Sequence, residues 1–215
     1  KDAYFLRGSA ELELGDYESA KADFDQAISM DPKNYDRLIE IYEALAAHGY
    51  REVGQEYLQN VLDTAKQLDA YDSGRIYYYL GEYQKAYLAL DEARDKGGAD
   101  SYLYLGRAYA ATGDYNYASS VYNNYLSKQG PNAEIYNELG LCEMAKKEYQ
   151  NALAAFQAGK QIEGNSLMQT LCFNEIVAYE YLEDYQQAEV LMNAYLQNYP
   201  DDQTAIREQQ FLSTR

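Results

Sequence analysis

The residues of this chain best suited to chemistry are two arginines set among tyrosines. Tyr71, Arg75, Tyr78 and Tyr79 form one group, and Tyr104 and Arg107 form a second; Asn137 and Asn174 fall in the same register further along. A guanidinium grips a carboxylate through two parallel hydrogen bonds, and aromatics mixed with arginine are the composition of interaction hot spots. The chemistry on offer is therefore non-covalent recognition of an extended peptide. Spacing alone leaves a second outcome open, in which Arg75 and Arg107 pair with Asp72, Glu43 or Glu138 and only hold neighbouring helices together.

Covalent chemistry has little support. The single histidine, His48, precedes Gly49 at a helix end, where the helix dipole favours an imidazole. No second histidine or paired cysteine completes a metal set. Neither a glycine-rich phosphate loop nor a Gly-x-Ser-x-Gly turn occurs. No catalytic residue, metal or cofactor is expected. Cys142 and Cys172 fall about six residues out of level on neighbouring helices, roughly 9 Å at ~1.5 Å per residue. A disulfide needs Cα atoms within ~7 Å, so both thiols are expected to be free and mostly buried.

The elements that position these residues repeat. GDYESAKADFDQAI from Gly15, GEYQKAYLALDEA from Gly81 and GDYNYASSVYNNYL from Gly113 share one order of small, acidic, tyrosine and alanine places. Gly15, Gly49, Gly81 and Gly113 are spaced by 34, 32 and 32 residues, the mark of stacked helical hairpins. Gly8, Gly74, Gly106 and Gly140 fall inside first helices, where glycine costs up to ~1 kcal/mol against alanine. That is tolerated where another backbone must come close, and Ala20, Ala86, Ala118, Ala152 and Ala188 serve the same end on second helices. The Gly-Asp-Tyr element ends one helix, caps the next through Asp and sets Tyr in the seam. The second unit carries Tyr42 and Gly54 in place of the glycine and the alanine, so its packing is expected to differ. The third unit's first helix is expected to begin late, near Asp69 or Tyr71. The sixth unit has Ile176 and Glu183 in place of its glycines. Asp201 and Asp202 then precede TAIREQQFL, an N-capped final helix.

This pattern resembles the tetratricopeptide repeat (TPR), a 34-residue helix–turn–helix unit. The first unit carries it through Tyr4, Gly8, Gly15, Tyr17, Ala20, Phe24, Ala27 and Pro32. The fourth carries it through Tyr102, Leu105, Gly106, Tyr109, Gly113, Tyr115, Ala118 and Tyr122. The resemblance implies an all-α fold: a right-handed TPR superhelix (α-solenoid) of six helical hairpins plus a C-terminal capping helix. It covers one domain, residues 1–215, with repeats at about 1–34, 35–66, 67–98, 99–132, 133–166 and 167–200 and a capping helix at about 202–213. It further implies a non-enzymatic scaffold that binds a protein or peptide in a groove lined by first helices. Periodicity turns Leu12, Ile39, Tyr71, Arg75, Tyr78, Tyr79, Tyr104, Arg107, Asn137, Asn174 and Glu180 toward that groove. The Lys and Asn pattern with which some TPR domains clamp a chaperone's terminal carboxylate is absent: Phe5 and Ser9 occupy the first pair of places. Self-assembly into a homo-oligomer and a peptide- or ligand-sensing role stay open as alternatives.

Composition narrows the partners. The chain has 215 residues, 18 basic against 35 acidic, for a net charge of −17. Such a body repels phosphate backbones and anionic membrane surfaces, so nucleic acid is not expected as a partner. No apolar run approaches the ~20 residues that span a bilayer, so direct membrane insertion is not expected. Tyrosine-rich acidic chains of this kind resemble bacterial cell-envelope proteins carried behind a lipoprotein leader. That resemblance implies an extracytoplasmic, lipid-anchored chain with its leader ahead of Lys1; a cytoplasmic location stays open.

Overall fold

A computed structural model describes residues 2–215. The described residues form thirteen α-helices and no strand. The chain comprises two compact units, the first ending at Lys96 and the second beginning at Gly97. The first unit holds three antiparallel pairs: α1 (Asp2–Glu13) with α2 (Tyr17–Met30), α3 (Tyr35–Ala47) with α4 (Arg51–Thr64), and α5 (Ala70–Tyr79) with α6 (Tyr83–Asp95). The second unit holds α7 (Ser101–Ala111) with α8 (Tyr115–Gln129), α9 (Ala133–Ala145) with α10 (Tyr149–Lys160), and α11 (Met168–Tyr181) with α12 (Tyr185–Asn198). It ends with α13 (Gln203–Leu212).

One turn joins the helices of all six pairs. In the first, Gly15 N–H donates to the Leu12 carbonyl and Asp16 N–H to the Glu11 carbonyl; the same two bonds recur at Gly49–Tyr50, Gly81–Glu82, Gly113–Asp114, Lys147–Glu148 and Glu183–Asp184. This is a Schellman ending, which needs a left-handed residue. Glycine supplies it four times, whereas Lys147 and Glu183 adopt it with φ of 64° and 60°. The side chains of Asp16, Asp114 and Asp184 then cap the second helix by accepting from Ser19, Tyr117 and Gln187 N–H. Glu82 and Glu148 make no such cap, because one more methylene carries the carboxylate past the amide.

The hairpins close on a fixed spacing. Each close-approach residue of a first helix is followed by a small residue twelve positions later and a large one sixteen positions later: Gly8 by Ala20 and Phe24, Gly74 by Ala86 and Leu90, Gly106 by Ala118 and Tyr122, Gly140 by Ala152 and Phe156. A Cβ at Gly8 would sit 2.8 Å from the Phe24 ring, and one at Gly140 would run into the Phe156 ring. All eight of these partners are completely buried. In the second pair the space and the bulk change sides. Tyr42 takes the first-helix place, and it fits because its partner is Gly54, whose Cβ would lie 2.9 Å from the Tyr42 ring. The expected difference in packing is thus an exchange of partners across the same seam. In the last pair Ile176 packs with Ala188 and Met192.

The helix α5 begins after Asp69, whose side chain accepts from Asp72 N–H. Asp202 accepts from Thr204 and Ala205 N–H to start α13, which buries Ala205 and Leu212 against α12. Both thiols are free, Cys142 buried and Cys172 half-buried.

Two substitutions test this account by thermal and urea unfolding. Gly140→Ala should lower stability by about 1–3 kcal/mol through overpacking against Phe156, more than the ~1 kcal/mol alanine gains as a helix former. Glu183→Gly should raise stability by up to about 1 kcal/mol, because it removes a left-handed non-glycine residue at a smaller cost in unfolded-chain entropy.

Candidate functional site

In the first unit α5 sets Tyr71, Arg75, Tyr78 and Tyr79 on one side through helical spacing. Arg75 is only 7% exposed. Its Nη1 donates to Asp36 Oδ1 of α3 and its Nη2 to Asp72 Oδ1, both at 2.5 Å. The guanidinium lies 4.4 Å from the centre of the Tyr71 ring. Burial works against its charge, but the hydrogen bonds to Asp72 and Asp36 outweigh burial, so its pKa stands above the ordinary arginine value. Tyr79 Oη donates to Glu43 Oε1 at 2.7 Å, and its ring meets Tyr42 at 5.2 Å. Tyr78 packs edge-on against Tyr79 at 5.2 Å and tilted against Tyr83 at 6.0 Å. These four rings, with Glu43 and Arg51, line a cavity of about 450 Å³. Arg51 Nη1 donates to Tyr42 Oη at 2.9 Å.

In the second unit Arg107 of α7 is paired as fully. Its Nε and Nη2 donate to Glu138 Oε1 at 2.9 and 2.7 Å, and Nη2 also reaches Glu134 Oε1 at 3.0 Å, both acids on α9. Tyr104 lies beneath the guanidinium at 5.5 Å. Asn137 is 8% exposed and accepts from Asn174 Nδ2 of α11 at 2.9 Å. The candidates therefore fall into two sets, one in each unit. Both arginines take the internal pairs that spacing left open, with Asp72 and Glu138; Glu43 serves Tyr79 instead. Each guanidinium faces two carboxylates, so neither site carries net positive charge.

Several groove expectations change. Leu12 and Ile39 are buried, Leu12 among Ile41 and Leu45 and Ile39 among Leu58 and Ile76. Arg75 and Asn137 are buried too, because neighbouring first helices pack close enough to cover these places. The partners Asp36 and Glu134 were not anticipated: they stand 39 and 27 residues from their arginines, where no local periodicity points. Tyr42 and Tyr83 did carry a signal, Tyr42 as the bulky residue at a glycine place and Tyr83 as the seam tyrosine. In the first unit Arg37 repeats the device: it lies over the Phe5 ring at 4.2 Å and donates to Asp2 at 2.6 Å.

His48 ends α3, with Nδ1 at 2.8 Å from the Ala44 carbonyl oxygen. Burial pushes the Cys142 thiol up to about 12. Among the described residues no group of three His, Cys, Asp or Glu is arranged to hold a metal ion. No helix there is long and apolar enough to cross a membrane.

The repeated seam and turn define a TPR array, and comparison with known proteins agrees. Tetratricopeptide-repeat family models match residues 1–34 and, in two overlapping stretches, 71–118 and 105–165. The chain belongs to the tetratricopeptide-repeat family, and its fold is an all-α helical solenoid. Among solved structures it is similar to PilW, a type IV pilus biogenesis factor, with a TM-score of 0.66, 18% identity, and 98% of this chain and 97% of that one covered. A thermophilic TPR protein of Thermus thermophilus matches with a TM-score of 0.60, 15% identity, and 100% and 99% coverage. YrrB, a TPR protein with an unusual peptide-binding site, matches with a TM-score of 0.57, 18% identity, and 87% and 97% coverage. No curated protein shows a significant match. TPR proteins are generally protein-interaction scaffolds, typically without enzymatic activity.

Glu180, expected on the groove side of α11, has a buried Oε1 without a hydrogen bond. Burial first, and then the charge and hydrogen bond of Glu208 on α13, push its pKa up to about 7. A carboxyl raised above its unfolded value holds its proton more tightly in the folded state. Its contribution is complete below the ordinary carboxylate range and is lost as pH rises through about 7. Urea unfolding should therefore show stability falling between acidic and mildly alkaline pH, and Glu180→Gln should flatten that slope.

Proposed function

We propose that this protein is a non-enzymatic scaffold that binds a peptide segment on its first-helix faces, with the principal anchor in the first unit. The observation that carries this reading is the cavity walled by Tyr42, Tyr78, Tyr79 and Tyr83. Rigid aromatic side chains lose little conformational freedom on binding and supply much of the contact area at hot spots. Glu43 and Arg51 at the same cavity offer one acceptor and one donor to orient a peptide backbone.

Arg75 and Arg107 take a different part. Paired internally, they hold neighbouring first helices, Arg75 within the first unit and Arg107 within the second. Asn137 and Asn174 brace α9 against α11 in the same manner. Membership of a family of interaction scaffolds supports the reading, as does the likeness to a TPR protein with a peptide-binding site.

Peptides selected from a random display library against the intact chain test it, with affinities read by fluorescence anisotropy. Tyr78→Ala and Tyr79→Ala should each weaken selected peptides about tenfold or more. Arg107→Ala should chiefly lower the melting temperature. Peptides that bind the double tyrosine variant as tightly as the parent would remove the cavity from consideration.

A further inference from the structure

The hairpins differ from one another at two places that meet. The residue directly after the small second-helix position is Lys21, Gln55, Tyr87, Leu153 or Glu189 in five of the pairs, but Ser119 in α8. Three residues past the first-helix close-approach position stand Tyr77, Tyr109 and Tyr179 in three pairs, and Leu45 and Glu11 in two. In α9 the residue is Glu143. Ser119 and Glu143 are 5% and 6% exposed, and Ser119 Oγ donates to Glu143 Oε1 at 2.8 Å. Lys146 Nζ lies 2.6 Å from the same oxygen. Where Ser119 replaces a longer side chain and Glu143 stands in place of the tyrosine of three other pairs, an open cavity of about 580 Å³ lies between α8, α9 and α10. Asn116 and Asn123 line it from α8, Tyr136 from α9 and Asn151 from α10. It shares no residue with the first-helix candidates.

We propose that this cavity binds a saccharide. Burying a carboxylate is costly even when it is paired, and a tyrosine at that place would pack the seam without the cost. Glu143 and Lys146 cancel in charge, so an ionic ligand gains no net attraction there. Both protein donors go to Oε1 of Glu143, which leaves Oε2 to accept from a ligand. Three asparagines, Asn116, Asn123 and Asn151, each with an amide both donor and acceptor, line the same cavity. Sugar hydroxyls need that mixture of donors and acceptors at several points at once. Tyr136 supplies an aromatic surface for the apolar face of a pyranose ring. The volume falls in the ~300–1,000 Å³ range of small-ligand sites, room for an oligosaccharide end.

The test titrates the whole chain with maltotriose, cellotriose and chitotriose at millimolar concentrations, using calorimetry and amide chemical-shift mapping. At least one trisaccharide should bind, with shift changes centred on residues 116–155. Ser119→Leu, which restores the bulk found in α10, should abolish binding while circular dichroism shows the fold retained. Asn123→Ala and Asn151→Ala alter exposed rim residues and keep the test decisive if Ser119→Leu fails to fold; each should weaken binding about fivefold. Tyr79→Ala, at the peptide cavity, should leave sugar binding unchanged. The proposal is overturned if none of the three sugars binds, if the shift changes lie elsewhere, or if binding survives both asparagine variants undiminished.

Discussion

The structure depends on one steric condition: where the two helices of a hairpin cross, one of them must offer little or no side chain, a glycine in five of the pairs and Ala188 in the last. The ring or branched chain that fills the space is then enclosed on every side. Phe24, Leu90, Tyr122 and Phe156 are all without solvent contact. Fully burying one such side chain contributes roughly 1.5–3 kcal/mol, and that gain exists only because the opposing backbone lies within reach. The second pair shows that the condition concerns space and not a residue type. Tyr42 and Gly54 exchange the roles of bulk and gap, and the seam closes as before.

Electrostatics supplies a second constraint. With a net charge of −17, acidic side chains crowd the helix faces, and the few bases are spent on holding them. Arg7 binds Asp23, Lys146 binds Glu143 and Lys160 binds Glu175, each acid being buried. Arg75 and Arg107 do the same between first helices. A buried acid that loses its base is left uncompensated, at a cost well above that of a surface ion pair. Little unspent positive charge remains at the first-helix candidates, so recognition there falls to aromatic surface. Glu180 is held protonated first by its burial and then by Glu208 beside it.

Much of the architecture was legible in the residues. The Gly-Asp-Tyr elements mark the turns, Asp69 marks the late start of α5 and Asp202 the start of α13. The capping role read for the acidic turn residue holds for Asp16, Asp114 and Asp184 but not for Glu82 or Glu148, a distinction of one methylene. The consequence of Tyr42 with Gly54 was not legible, because a pair of substitutions does not reveal that its members touch. At the candidate site the aromatic and arginine places were readable. The burial of Arg75 and Asn137 was not, since periodicity states which way a side chain points and not how near the next helix stands.

The sequence by itself determined the class of molecule, because its decisive contacts are local: spacings of twelve and sixteen residues across a tight turn fix a helical hairpin through the constant rise and pitch of the α-helix. Tertiary structure alone decided which acid each arginine reaches. Asp36 and Glu138 lie 39 and 31 residues from their partners, on another hairpin. A long side chain finds its carboxylate only after the packing of two hairpins has set their separation to within a fraction of an ångström.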